Sequence, residues 1–214
     1  MNKNVYSIVL TDNVIRAVDA EAYRLGTNRS NLINQILAEH LSCVTPEMRM
    51  REIFDSAEML LHRELLLMQQ NSPSVLMLRT ALQYKYRPTV NYRVELEREP
   101  DMYMGRLKVQ IRTQNTLLTE YFNAFFSGIA HVEEKIYADK GIDGYNASLS
   151  TGCFTRVLFN DSRYTNEEKG GIIGEYLNML NGVVREFFAD PKELRYSINI
   201  YNAVFSAFVE KHII

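Results

Sequence analysis

Apolar and polar residues follow two different periods at the start of the chain. From Val5 to Leu10 every second residue shares a face, which predicts a short strand. The apolar residues that follow recur at helical spacing, first after Thr11 and again after Asn28. Gly26 between the two groups is a typical residue for the end of a helix. The apolar positions of the two predicted helices are Val14, Ile15, Val18, Ala22 and Leu25, then Leu32, Ile33, Ile36, Leu37 and Leu41.

A strand and two short helices cannot bury their apolar faces alone. The strand leaves unpaired edges, and the helices are too short to enclose a core. Both problems are solved if two copies pair their strands antiparallel and interlock their four helices. We therefore expect an obligate homodimer through residues 4–42, or a higher homo-oligomer built on it.

The pattern changes after residue 43. Thr45, Pro46 and Glu47 supply a helix start, and the apolar stripe that follows predicts a helix to about Gln70. Strict alternation over residues 82–97 predicts β-structure in which Pro88 marks a bend, an edge or the split between two strands. A turn and a second alternating segment through Ile111 complete a predicted hairpin.

The remaining residues are predicted to be mostly helical. One helix is expected from about Thr116 to Ala138. A second opens at Thr165, where Glu168 completes a capping box, and runs to about Phe188. A third follows residues 190–193, and a short strand at Phe154 to Phe159 is a weaker expectation. The sequence thus predicts a mostly helical α+β protein, with a module at 1–44 and an α+β domain at 45–214 that contains a β-hairpin and long amphipathic helices.

Composition narrows the class of protein. The 214 residues are 46% hydrophobic and 23% charged, as in ordinary globular proteins. No run of about 18 apolar residues occurs, so we expect no membrane span, and the lack of a signal-peptide pattern predicts a cytoplasmic protein. Cys43 and Cys153 are isolated and predict reduced thiols. The net charge of −2 means that contact with nucleic acid requires a local basic patch.

The order strand, helix, turn and helix, with the segment GTNRSNLI at 26–33, resembles the ribbon-helix-helix family of DNA-binding proteins over roughly residues 3–43. The resemblance implies that the paired strands enter the major groove of double-stranded DNA. By the family's register the base-facing residues are Val5, Ser7 and Val9. The phosphate-binding residues it implies are Lys3, Asn28, Arg29 and Ser30. Two valines on the base-facing side depart from the family, because valine can touch a thymine methyl group but cannot hydrogen-bond a base.

The resemblance predicts a dimeric, sequence-specific DNA-binding protein, most simply a transcriptional repressor. The C-terminal domain would add oligomerisation or the sensing of a small-molecule effector. One alternative is an accessory protein that organises the DNA of a plasmid or mobile element. Another is a non-enzymatic assembly protein in which the ribbon only dimerises, and the valines favour it.

The predicted hairpin carries a second candidate nucleic-acid surface. Its basic residues could follow a phosphate backbone. The alternative is a solvated face whose arginines pair with Glu95 and Glu97, with the alternating tyrosines pointing into the core. The basic residues are Lys85, Arg87, Arg93, Arg106, Lys108 and Arg112.

Enzymatic chemistry has little support in the sequence. His131 and Glu134 have the spacing of half a metal site, but no second pair completes it, so we expect no metal and no cofactor. Gly170, Gly171 and Gly174 lack the flanking residues of a P-loop and more simply permit close helix contact or a later start of the helix. The aromatic helices favour a plain core over an apolar ligand pocket. We expect no catalytic residues.

Overall fold

The computed structural model describes residues 7–69, 72–191 and 193–214 of the chain. These residues form six α-helices and one six-stranded antiparallel sheet, which confirms the α+β class. About half of the chain is helical, less than the sequence predicts. The chain divides into two compact units, residues 1–49 and residues 50–214. None of the described helices is long and apolar enough to cross a membrane.

The first unit contains both predicted helices. Helix α1 spans Asp12–Arg24 and helix α2 spans Arg29–His40. Gly26 follows the end of helix α1 with a φ of 62°, in the left-handed region, and the Thr27 amide donates to the Ala22 carbonyl across 2.9 Å. This closing pattern satisfies the free carbonyls of the last turn.

The predicted strand at 5–10 is not shown. Ser7 to Leu10 are irregular and pair with no strand of the described chain, while Val5 and Tyr6 lie outside the described residues. A ribbon of this type takes its hydrogen bonds from a second copy, so a single chain offers these residues no ladder partner. The ribbon therefore stays a prediction.

Helix α3 spans Pro46–Leu60, so its predicted extension to Gln70 is wrong. The Asn178 side chain explains where it ends. Its amide nitrogen donates to the Leu60 carbonyl across 2.7 Å, and its oxygen accepts from the His62 amide across 2.9 Å. A tertiary contact thus caps the helix and releases the following residues to form strand β1, Leu66–Leu67.

The sheet has the order β1-β2-β3-β4-β6-β5, and every pair is antiparallel. The predicted hairpin is confirmed as β3 with β4, and the expected strand near Phe154 is confirmed as β6. After β1, the strands are β2 (Val75–Ala81), β3 (Thr89–Leu96), β4 (Tyr103–Arg112), β5 (Ala147–Ser150) and β6 (Cys153–Phe159).

The predicted strand start at Leu82 is wrong, because residues 82–88 form the turn between β2 and β3. Tyr86 and Arg87 adopt left-handed conformations in that turn, with φ of 65° and 44°. Tyr86 is 88% exposed, contrary to the expectation that the tyrosines of this segment point inward. Tyr92 follows the expectation and is fully buried.

Three long helices cover one face of the sheet. They are α4 (Thr116–Asp139), α5 (Asn166–Ala189) and α6 (Leu194–Val209), close to the predicted bounds. The capping box of Thr165 and Glu168 is confirmed, with both hydrogen bonds present. Phe126 of α4 stacks on Phe154 of β6 at 4.9 Å, and Phe125 stacks on Phe187 of α5 at 4.4 Å.

Helices α3 and α5 meet closely at two of the three glycines where the sequence predicted close contact, Gly170 and Gly174. A Cβ on Gly170 would lie 2.2 Å from the Ile53 carbonyl oxygen, and one on Gly174 would lie 2.8 Å from the Ala57 carbonyl oxygen. Any larger residue would push the helices apart. The other face of the sheet is open, since strand β4 alternates buried and exposed residues from Gly105 onward.

Candidate nucleic-acid interfaces

The start of helix α2 offers hydrogen-bond donors in the place where phosphate contact is predicted. The Asn28 side chain accepts from the Asn31 amide across 2.9 Å and so caps the helix. As at every helix start, the amides of Arg29 and Ser30 have no partner inside the helix. The first turn carries no acidic residue. Such a helix end attracts anions through its amides and its dipole.

Arg29 is held by a carboxylate in the free chain. Its Nε and Nη2 donate to the two oxygens of Asp19, each across 2.6 Å. About half of each side chain is exposed, 54% for Arg29 and 45% for Asp19. An exposed pair of this kind contributes only about 0–1 kcal/mol. Arg29 could therefore exchange Asp19 for a phosphate at small cost.

The residues predicted to face the bases are only partly described. Ser7 and Val9 are exposed, and Val9 is fully open to solvent. Val5 and Lys3 lie outside the described residues. The described base-facing positions thus present one hydroxyl and one apolar side chain to solvent, and Ile8 between them is exposed as well.

The first unit exposes more large apolar side chains than it buries. Its buried cluster consists of Val18, Ala22 and Leu32, with Ile33 packed against them. Leu41 at the end of α2 is 65% exposed. The other exposed large aliphatic residues of this segment are Ile8, Val9, Val14, Leu25, Ile36, Leu37 and Val44. A surface of this kind is typical of a unit that associates with a partner.

On the open face of the sheet, two of the six predicted basic residues have the expected acidic partners. The Arg93 Nε lies 2.5 Å from a Glu95 oxygen, and an Arg106 nitrogen lies 3.5 Å from a Glu97 oxygen. The strand register also places Arg93 directly opposite Lys108. The interpretation that this is a solvated face with paired charges therefore explains only part of the surface.

The other basic residues lie toward one end of the same face. Arg112 ends β4, and Lys85 and Arg87 are exposed in the neighbouring turn between β2 and β3. Arg79 of β2 joins them and donates to Asn91 across 3.1 Å. Sequence reasoning missed Arg79 because β2 has apolar residues on both faces and so lacks the alternation that marks a strand.

A buried charged cluster lies between the sheet and the helices. Arg156 of β6 donates to Glu133 of α4 across 3.0 Å, and both side chains are fully buried. Tyr145 and Tyr176 each donate to Glu133 across 2.6 Å, and Tyr201 donates to it as well. Both carboxylate oxygens of Glu133 thus accept hydrogen bonds from buried or partly buried partners, which suits a structural role rather than a substrate site.

Two features of the sequence mark this cluster. Glu133 falls within the apolar stripe of α4, next to Val132, and Arg156 occupies an inward position of β6 between Phe154 and Leu158. A charged residue at an inward position is informative, because it needs a partner. Burial, together with the charge of Glu133, raises the pKa of Tyr145 well above its usual value.

No family model matches this chain, and no curated protein or solved structure is significantly similar to it. No three His, Cys, Asp or Glu side chains in the described ranges are grouped as a metal site would require. The function must therefore be inferred from the chain's own residues and their geometry.

Proposed function

We propose that the protein is a dimeric, sequence-specific DNA-binding protein that acts as a transcriptional repressor through its N-terminal unit. The observation that carries this proposal is the excess of exposed apolar residues in that unit. Ile36, Leu37 and Leu41 of the α2 segment are exposed, whereas the buried cluster of the unit centres on three side chains. Burying an aliphatic side chain contributes about 1.5–3 kcal/mol, so covering these residues supplies a strong drive to associate.

A second copy of the chain is the partner that fits this surface. Two copies would interlock their four helices over the exposed residues and pair their N-terminal segments as a ribbon. The unit then gains the core that a single copy lacks. Such pairing is self-complementary, as in most homodimers.

In this proposal, DNA contact would come from the start of α2 and from the N-terminal segment. The α2 amides and Arg29 would bind phosphates, which positions the dimer without reading sequence. Ser7, flanked by Val5 and Val9, would contact base edges in the major groove. Two copies give two half-sites, so the target would be palindromic or repeated.

The second candidate is an assembly protein in which the ribbon only dimerises. The engagement of Arg29 by Asp19 and the full exposure of apolar Val9 favour it. Both candidates require the dimer, and DNA binding separates them. The repressor proposal further requires discrete sites, whereas a DNA-organising accessory protein would cover DNA more broadly.

Sedimentation tests the proposed dimer, and a genomic-DNA pulldown tests the proposed DNA binding. Wild type should sediment as a dimer at micromolar concentration, and Leu41→Glu should shift it toward monomer. Met59→Glu is the matched control, because Met59 is also exposed but lies in the second unit, on α3. A folded wild-type monomer would contradict the dimer. A dimer that recovers no discrete DNA site would contradict the repressor and favour the assembly protein.

A further inference from the structure

We infer that the open face of the sheet binds the phosphate backbone of duplex DNA without reading its sequence. We call this surface the basic sheet face and define it by the outward residues of β2, β3 and β4 together with the turn at 82–88. Its basic residues are Arg79, Lys85, Arg87, Arg93, Arg106, Lys108 and Arg112. The surface belongs to the second unit, so the inference does not depend on the proposed function of the first.

The basic sheet face is strongly positive although the chain is not. The whole chain has a formal net charge of −2. The outward positions of β2, of β3 and of residues 106–112 of β4 are different. Five of these residues are basic, and only Glu95 is acidic. A local excess of one sign on a flat surface attracts a polyanion even when the net charge does not.

Like charges meet directly across two strands of this face. Arg93 of β3 and Lys108 of β4 are register partners, and such a pair destabilises a sheet unless an anion lies between them. Glu95 relieves Arg93 only in part, because it also faces Arg106 across the strands. Lys108 has no carboxylate partner among the described residues. A bound phosphate would supply the missing negative charge.

The charge is also unevenly distributed along the strands. Glu95 and Glu97 lie toward one end of β3. At the opposite end of the sheet face, Thr89 of β3 lies between its register partners Ala81 of β2 and Arg112 of β4. That end carries Arg112 together with the exposed Lys85 and Arg87 of the turn, and none of the three has an acidic partner in the part of the chain described. The positive potential is therefore strongest there.

The chemistry of the face favours a duplex over a single strand. Proteins that bind single strands stack the bases on aromatic side chains. No aromatic residue occupies an outward position of β2, of β3 or of residues 106–112 of β4. Tyr92 of β3 points into the core. The exposed Tyr86 lies in the turn, with the Lys85 nitrogen 5.0 Å from its ring centre. Neutral donors instead surround the cations, namely Asn91, Gln110 and Thr155. Amides, hydroxyls and cations are the groups that bind phosphate oxygens.

Fluorescence anisotropy of the full-length protein on a short duplex of random sequence tests this inference. The double variant Lys108→Gln/Arg112→Gln should weaken binding about tenfold at low salt and reduce the slope of log K against log salt by about two. The matched control is Lys135→Gln/Arg195→Gln, which removes the same charge from exposed positions on α4 and α6. It should weaken binding less than about twofold. A single strand of the same length should bind more weakly than the duplex.

Four results would overturn the inference, three of them from the variants and the single strand just described. These three are unchanged binding by Lys108→Gln/Arg112→Gln, an equal loss in the control, and tighter binding of the single strand. The variant Ser7→Glu separates this surface from the N-terminal unit. If Ser7→Glu alone abolished binding to random duplex, all contact would belong to the first unit and the basic sheet face would be unused. If Ser7→Glu lost the specific site but kept salt-dependent binding to random duplex, both surfaces would stand as proposed.

Discussion

Arg156 of β6 and Glu133 of α4 form an ion pair with a separation of 3.0 Å, and neither side chain reaches solvent. Arg156 also donates to the Tyr137 hydroxyl across 3.2 Å and to the main-chain oxygen of Ile214. The pair thus ties the sheet to helix α4 and to the segment that follows α6. Its loss should loosen three parts of the second unit together.

Removing one member of this pair should be strongly destabilising. Glu133→Gln leaves a buried guanidinium without its counter-charge, and we expect a loss of about 3–5 kcal/mol in the free energy of unfolding. Urea denaturation followed by circular dichroism measures it. The exposed pair of Lys140 and Glu210 provides the control, since Glu210→Gln should cost less than about 1 kcal/mol. Equal losses in the two variants would show that burial does not strengthen the pair.

Alkaline pH should destabilise the protein through its buried tyrosines. Burial raises the pKa of Tyr176 and of Tyr201 above the usual value of about 10, and the charge of Glu133 raises both further. The folded state therefore keeps protons that the unfolded state releases. This contribution to stability is complete below about pH 10 and is lost as the pH rises above it.

Urea midpoints measured from about pH 8 to about pH 11 should show this fall. Tyr201→Phe removes one of the titrating groups, so its stability should depend less steeply on pH than that of wild type in the alkaline range. A constant midpoint through the alkaline range would contradict the assignment of these tyrosines as buried neutral groups.

The two glycines Gly170 and Gly182 of α5 should respond oppositely to alanine. A Cβ at Gly170 would lie 2.2 Å from the Ile53 carbonyl oxygen, so Gly170→Ala should lose about 1–3 kcal/mol or more. A Cβ at Gly182 would have no atom within 4 Å. Gly182→Ala should therefore gain about 0.5–1 kcal/mol from better helix propensity. Thermal denaturation measures both, and a stable Gly170→Ala variant would mean that α3 and α5 are not in contact.

Local signals in the sequence predicted the elements that depend on neighbouring residues. The capping box of Thr165 and Glu168 fixes the start of α5. The alternation of buried and exposed residues around Tyr92 marks strand β3. These features involve residues at most a few positions apart. Their physical causes, capping and burial of one strand face, are readable without the rest of the fold.

Features that depend on distant residues were not predictable in this way. Helix α3 ends because Asn178 caps it from another helix, and no residue near Leu60 signals that end. Strand β2 was missed because Val75 and Met77 face outward, which removes the alternation. In the N-terminal unit the helices were predicted well, whereas the predicted ribbon is not shown by the single chain and would need a second copy.

The pair of Asp19 and Arg29 should compete with DNA for the guanidinium. Arg29→Ala should weaken binding to all sequences about equally and lower the salt slope by about one. Asp19→Asn should strengthen binding by up to about 1 kcal/mol, because it frees Arg29 and removes a repelling charge. Glu21→Gln removes the partner of Arg24 and is the control with the smaller expected effect. If Arg29→Ala changed only base preference, Arg29 would contact bases instead of phosphates.

Ser7 tests the DNA-binding proposal most directly. It is exposed, so Ser7→Ala should fold normally, and it should cost about 1–3 kcal/mol of discrimination at one base-pair step in each half-site. Ser7→Glu places a carboxylate near the DNA phosphates, which repel it. The variant should therefore lose specific binding while leaving the dimer intact. The measurement is an anisotropy titration of wild type and both variants on the site recovered from genomic DNA. Loss of specific binding by Ser7→Glu is the predicted result, and wild-type affinity for that variant would show that the N-terminal segment does not enter DNA.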